Sequence, residues 1–203
     1  MVSKREIDVY SFSELDKDVQ EKVIERLQGQ ENEYMDMDFF SEYAKNYIEE
    51  KGFEDVEIAY SLGYSQGDGF SFTGQVEYPD KFIREWAKKY QPLTESTFVE
   101  YITIKVVRGN SHYSHENTVG FEIELEFDGD EIEQSGKDYD EVEKEFENLA
   151  REFESTLDEY KDDICKQLEK DGYSEIEAAT SEEAIKEMID DNNYDFDEEG
   201  NII

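Results

Sequence analysis

The chain has 203 residues, with 56 Asp or Glu against 20 Lys or Arg, giving a formal net charge of -36. That sign opposes ordinary phosphate-backbone binding, which needs Lys and Arg to neutralise phosphates, and points to a basic partner instead. A single cysteine, Cys165, excludes an internal disulfide, and no apolar run is long enough to cross a bilayer.

High charge with 36% hydrophobic residues leans toward disorder, but 14 Tyr, 13 Phe and one Trp supply the material of a folded core. The first residues, MVSKREIDVY, lack an apolar signal core, so the expected compartment is the cytoplasm of a host cell. The charge is unevenly spread. Residues 1–120 hold 24 acidic and 13 basic side chains, whereas residues 121–203 hold 32 and 7. This asymmetry suggests a core domain over 1–130 and an acidic helical region over 131–203, packed on that core.

Residues 13–27 read as a helix with Ser13 as N-cap and Leu15, Val19, Val23 and Leu27 on one stripe. A second helix is expected over 33–51, with Met37, Phe40, Tyr43, Ala44, Tyr47 and Ile48 as its apolar side and Gly52 as its stop. From Phe53 the period changes to two: Val56, Ile58, Tyr60 and Leu62 alternate with polar or small residues. The Gln66-Gly67-Asp68-Gly69 turn then leads into Phe70, Phe72 and Val76, so 55–77 reads as a β-hairpin. Pro79 opens a short helix with Phe82, Ile83, Trp86 and Ala87 inward.

Strands are expected over 97–107 (Phe98, Ile102, Ile104, Val106) and 118–127 (Val119, Phe121, Ile123, Leu125, Phe127). Gly129 and Gly136 bracket a loop. Tyr139, Val142, Phe146, Leu149, Phe153, Leu157, Tyr160, Ile164 and Leu168 then recur at spacings of three and four, the seam of one long helix or a broken pair over 137–170. A last helix covers 181–191. The expected class is α+β: an antiparallel sheet of about four strands with helices on one face and a long acidic C-terminal helix.

The strand over 118–127 has an unusual second face. Glu122, Glu124 and Glu126 alternate with its core residues, one every ~6.8 Å. That step is close to the roughly 7 Å between neighbouring phosphates of one DNA strand. Asp128, Asp130, Glu131 and Glu133 continue the run, and Asp138, Glu141, Glu145, Glu152 and Asp158 lie off the helix seam. Like charges this close cost a few tenths of a kcal/mol per exposed pair, so stability alone does not select them. We expect Glu122, Glu124, Glu126, Asp128, Asp130, Glu131, Glu141 and Glu145 to act as phosphate surrogates toward a basic nucleic-acid-binding host protein. The plain alternative is a solvated acidic face that keeps the chain in solution.

Other constellations carry less. Gly67-Asp68-Gly69 is not followed by a helix N-terminus or a Lys, which fails the phosphate-loop pattern. The second hypothesis is a small-molecule binding module, a sponge for a nucleotide-like signal held by Tyr60, Tyr64, Gln66, Gly67, Asp68, Gly69 and Phe70. His112 and His115 lie three apart in a polar loop without a third ligand at metal-site spacing, so no metal, cofactor or enzymatic role is expected. Cys165 beside Ile164 reads as buried filler. Asp195-x-Asp197-x-Glu199-Gly200-x-Ile202 matches the first eight positions of an EF-hand loop, but the chain stops at Ile203, so a terminal turn or strand is the better reading. Direct nucleic-acid or membrane binding is not expected, and homo-oligomerisation is left open.

The stretch Tyr60 to Phe72, YSLGYSQGDGFSF, resembles a motif in uncharacterised proteins of bacteriophages and mobile elements. Those proteins often begin with a helix like FSELD at Phe12 to Asp16. The segment from Glu182 to Gly200 is similar to their tails. The resemblance covers about the first 80 and the last 25 residues and implies a phage-like context. In composition the chain resembles phage DNA-mimic inhibitors, such as anti-restriction and anti-CRISPR proteins. Together these imply an inhibitor of a host restriction or CRISPR nuclease.

Overall fold

The computed structural model describes residues 8–34, 36–86 and 88–203. In chain order the elements are β1 (Tyr10–Ser11), α1 (Lys17–Tyr34), α2 (Asp38–Glu50), β2 (Phe53–Ser61), β3 (Gly69–Val76), α3 (Pro79–Trp86) and α4 (Pro92–Glu95). There follow β4 (Val99–Arg108), β5 (Val119–Phe127), α5 (Gly129–Ser135), α6 (Tyr139–Ala179), α7 (Glu182–Asp191) and β6 (Asp195–Phe196). The class is α+β, as the alternation and helical periodicity predicted. The chain divides into two compact units, Met1–Met37 with Gly172–Ile203, and Asp38–Asp171. That division falls elsewhere than the 130/131 boundary suggested by charge. Charge marks what faces water, whereas a compact unit is set by shared apolar contacts.

The Asp38–Asp171 unit is built on an antiparallel meander, order β2-β3-β4-β5. Alternation, interrupted by register shifts between Glu54 and Glu57 and between Val99 and Tyr101, assigns its two faces. Phe53, Phe70, Phe72, Val76, Ile104, Val106 and Phe121 are buried on one face. Aromatic edges bind the helices to that face. The Phe40 ring of α2 stands 5.3 Å from Tyr60 and 6.3 Å from Phe70, and Phe53 lies 5.8 Å from Phe82 of α3. Such tilted pairs add to the burial term. Along α6, Val142, Phe146, Phe153, Leu157, Ile164 and Leu168 of the expected seam are buried and Ala150 joins them, whereas Tyr139, at the first turn, is exposed. Burying Phe153 completely, stacked 4.5 Å from Tyr90, is worth about 3 kcal/mol against truncation to Ala.

The other unit has its own core. Leu15, Val23, Ile24 and Leu27 pack with Ile185, Ile189 and Phe196. Gly200 adopts φ +83 where a Cβ would stand 2.7 Å from Val23 Cγ2, so glycine alone fits the close approach to α1.

Several boundaries differ from the sequence reading. Ser13 is not an N-cap. Ser11 and Glu14 close a capping box around a 3-10 turn at Phe12–Glu14, and α1 starts only at Lys17. Helix α1 runs on to Tyr34 through Gly29, which sits in open space and stops nothing. The hairpin connection is a loop over 62–68 rather than a tight turn at Gln66–Gly69, and Tyr64 takes φ 55 within it. The expected loop between Gly129 and Gly136 is helix α5, stopped by Gly136 at φ 73. Helix α6 is a single 41-residue element from Tyr139 to Ala179. The Trp86 side chain and Ala87, both expected inward, lie outside the described residues.

Candidate functional site

Among the described residues strand β5 is an edge strand, paired only with β4. Its period-two sequence sends Phe121 into the core and leaves Glu122, Glu124 and Glu126 exposed on the face away from the helices. The register sets Glu122 opposite Lys105, Glu124 opposite Thr103 and Glu126 opposite Tyr101. Lys105 is the cation of that row and donates to Glu124 at 3.1 Å. Both ends are well exposed, so the pair contributes at most about 1 kcal/mol. The register also carries Glu54, Gln75, Lys105 and Glu122 across all four strands. Glu54 and Glu57 thus add carboxylates on the opposite edge strand, β2. The sequence reading did not include them, because their face becomes apparent only once the β3–β4 register is known.

Three main-chain groups of β5, over Val119–Ile123, are taken by side chains of α6. The Phe121 N–H donates to Asp158 Oδ1 at 3.3 Å and the Ile123 N–H donates to Glu154 Oε1 at 2.8 Å. Lys161 Nζ donates to the Val119 carbonyl at 2.6 Å and lies 3.2 Å and 3.3 Å from carboxylates of Asp158 and Asp162. Lys161 is only 3% exposed, so its charge is held by three oxygens in place of water. Carboxylates that could have been counted as surface charge here close a strand edge.

Further along, between β5 and α6, lies an open groove of about 540 Å³. Ile123, Leu125, Phe127 and Ala150 form its apolar floor. Glu122 and Glu124 border it from the strand, and Glu143 and Glu147 from the helix. Arg151 also lines it, tied to Glu147 at 2.9 Å and to Asn148 Oδ1 at 3.1 Å.

The eight expected surrogates are not one strip. Glu122, Glu124 and Glu126 stand together as a row. Asp128 is the N-cap of α5, accepting from the Asp130 and Glu131 N–H groups at 3.0 Å each. Asp130 and Glu131 occupy the first turn, where the helix dipole favours negative charge. Glu141 and Glu145 share the flank of α6 that carries Glu152, which pairs with Lys89. At 3.6 residues per turn that flank is about 160° around the axis from Glu143, Glu147 and Glu154. The helix carboxylates adjoining the ladder are therefore Glu143 and Glu147. Their signal was present in the sequence as the flank opposite Glu141. Choosing between the flanks requires knowing which one faces β5.

In the Gln66–Gly69 loop, Asp68 is 8% exposed. It accepts from Ser61 Oγ at 2.9 Å, from the Ser65 N–H at 2.8 Å and from Ser65 Oγ at 2.8 Å. A Cβ on Gly67 would meet the Tyr113 ring at 3.2 Å, and one on Gly69 would meet His115 Nδ1 at 2.9 Å. Asp68 therefore organises the loop, and the glycines admit the 109–118 segment against it. Tyr60 stacks on Phe70 at 6.0 Å and exchanges a hydrogen bond with Ser41, while Tyr64 is exposed. These groups stabilise the loop, and no phosphate cradle is visible among them.

Among the described residues no group of three or more His, Cys, Asp or Glu is placed to hold a metal ion. His115 packs on Gly69 and Tyr113, and His112 is exposed. Burial pushes the Cys165 thiol up to about 12, so it is no nucleophile near neutral pH. At the C-terminus, Asp197 accepts from the Glu199 and Asn201 N–H groups and from Asn201 Nδ2. These bonds, Asn201 first, hold its carboxyl below the usual range. Together with the β1–β6 pairing and the Phe196–Ile202 bridge they make a turn and strand rather than a calcium loop. No described helix is long and apolar enough to cross a membrane.

Residues 34–182 match the model of a domain of unknown function, DUF8835, and the chain belongs to that family. The match includes the ladder, the groove and the hairpin loop. No curated protein and no solved structure matches the chain.

Proposed function

We propose that this DUF8835 protein is an acidic DNA mimic of phage or mobile-element type, which inhibits a host nucleic-acid-handling defence enzyme, a restriction or CRISPR nuclease. The observation that carries the reading is the ladder of Glu122, Glu124 and Glu126 on an open sheet face, spaced like phosphates and opposed in its row by Lys105. The net charge of -36 supports it, because opposite fields speed encounter with a cationic groove. The chain would act in the cytoplasm of the host, without cofactor or catalysis of its own.

The test is a panel of restriction and CRISPR nucleases assayed for DNA cleavage with and without the protein. The wild-type chain should block at least one of them, with inhibition fading as salt rises. The triple variant Glu122→Lys, Glu124→Lys, Glu126→Lys should lose the effect. Inhibition unchanged by that reversal would remove the ladder from the mechanism.

A further inference from the structure

The groove between β5 and α6 joins an apolar lining to acidic side chains contributed by two elements. Ile123, Leu125 and Phe127 are half-buried there, and Glu122 and Glu124 of the strand line it together with Glu143 and Glu147 of the helix. A flat carboxylate field attracts any cation. A groove with apolar base and acidic walls favours a cation that carries its own apolar stem.

The main chain of β5 narrows the choice further. The Phe121 and Ile123 N–H groups are already held by Asp158 and Glu154, so a partner cannot extend the sheet at those positions. There, contact comes through side chains. A guanidinium meets carboxylates as a planar fork, can be shared between two walls, and sheds water more readily than an ammonium. Arg151 already shows this chemistry at the groove, reaching Glu147 and Asn148 together.

We propose that this groove is the docking site for an arginine-bearing segment of the partner protein. Its aliphatic stems would lie on Ile123, Leu125 and Phe127, and its guanidinium groups would sit between Glu124 and the pair Glu143 and Glu147. The inference rests on the phosphate-mimic reading and adds the chemistry that the partner presents. Recognition is then partly apolar and arginine-selective, which a purely electrostatic mimic is not.

The experiment uses the full chain and a fluorescently labelled peptide alternating arginine and glycine, with a lysine version beside it, followed by anisotropy at fixed salt. Two double variants are compared, Glu143→Gln with Glu147→Gln, and Glu141→Gln with Glu145→Gln. Each removes two negative charges, so the long-range field falls equally, and thermal melting checks that both fold. The groove pair should weaken arginine-peptide binding roughly tenfold, and the opposite-flank pair less than about twofold. The lysine peptide should bind more weakly than the arginine one. Equal weakening by both pairs, no weakening, or equal binding of the two peptides overturns the assignment. Loss of nuclease inhibition on ladder reversal, with peptide binding indifferent to the groove pair, leaves the mimic reading standing without the groove. The expected peptide pattern with inhibition untouched by ladder reversal leaves the reverse.

Discussion

Asp68 and Glu124 belong to the same sheet unit, yet their carboxylates are used in opposite ways. Asp68 is turned inward, and three donors from Ser61 and Ser65 hold the 62–68 loop through it. Glu124 and its neighbours Glu122 and Glu126 stand in solvent, with Lys105 reaching Glu124. The same division recurs on α6, where Glu154 and Asp158 bond to main chain and Glu143 borders an open groove. In a chain this acidic, negative charge alone does not mark a surface for a partner. Glu124 and Glu147 meet only exposed cations, Lys105 and Arg151, and so stay within reach of a donor from outside.

The comparison makes graded predictions. The strongest concerns Lys161. Lys161→Met would leave the Val119 carbonyl and Asp158 without their cation and Asp162 with only the more distant Lys166, and urea unfolding should show a loss of about 3 kcal/mol. A loss below about 1 kcal/mol would mean that the edge closure is incidental. Asp68→Ala should cost about 2 kcal/mol, since buried hydroxyl and amide donors lose a charged acceptor. If it costs nothing, the contrast with the ladder fails.

A smaller effect comes from Cys165. Its thiol is raised by burial from an ordinary value of 9.0 to about 12, so the folded state favours the neutral form. That contribution is fully present below pH 9 and declines as pH rises from 9 through about 12. A thiol reagent at pH 8.5 should therefore label the chain only after urea is added, and prompt labelling of the native protein would contradict the burial. The smallest shift belongs to the ladder. Glu122→Gln, Glu124→Gln and Glu126→Gln together should change unfolding free energy by no more than about 0.5 kcal/mol, with added stability the favoured sign because like charges are removed. A large destabilisation would show these residues to be structural after all.

The sequence revealed the sheet well, because β4 from Ile102 onward and β5 alternate cleanly and their apolar set can face only one way. It revealed the α6 seam for the same reason, through Val142, Phe146, Phe153 and Leu157. It did not reveal α5, since two glycines and three acids read as a loop until Asp128 is seen capping the helix and Gly136 ending it. It placed Glu122, Glu124 and Glu126 on one face but could not rank Glu143 above Glu141, because both lie off the seam. Only the side of α6 that meets β5 separates them, and that is a tertiary fact. Asp68 looked like a turn residue or a phosphate contact. Its burial depends on Ser61 and Ser65 converging on it, which spacing alone does not express.

The partly closed rim of β5, held over Val119–Ile123, has a counterpart at β2, where the register slips between Glu54 and Glu57 and Asp55 turns to φ 53. One border is partly stoppered by helix carboxylates and the other is kinked, so this meander offers poor templates for a visiting strand. Concentrated solutions should then resist fibrillar growth even in salt strong enough to mute the mutual repulsion of the molecules.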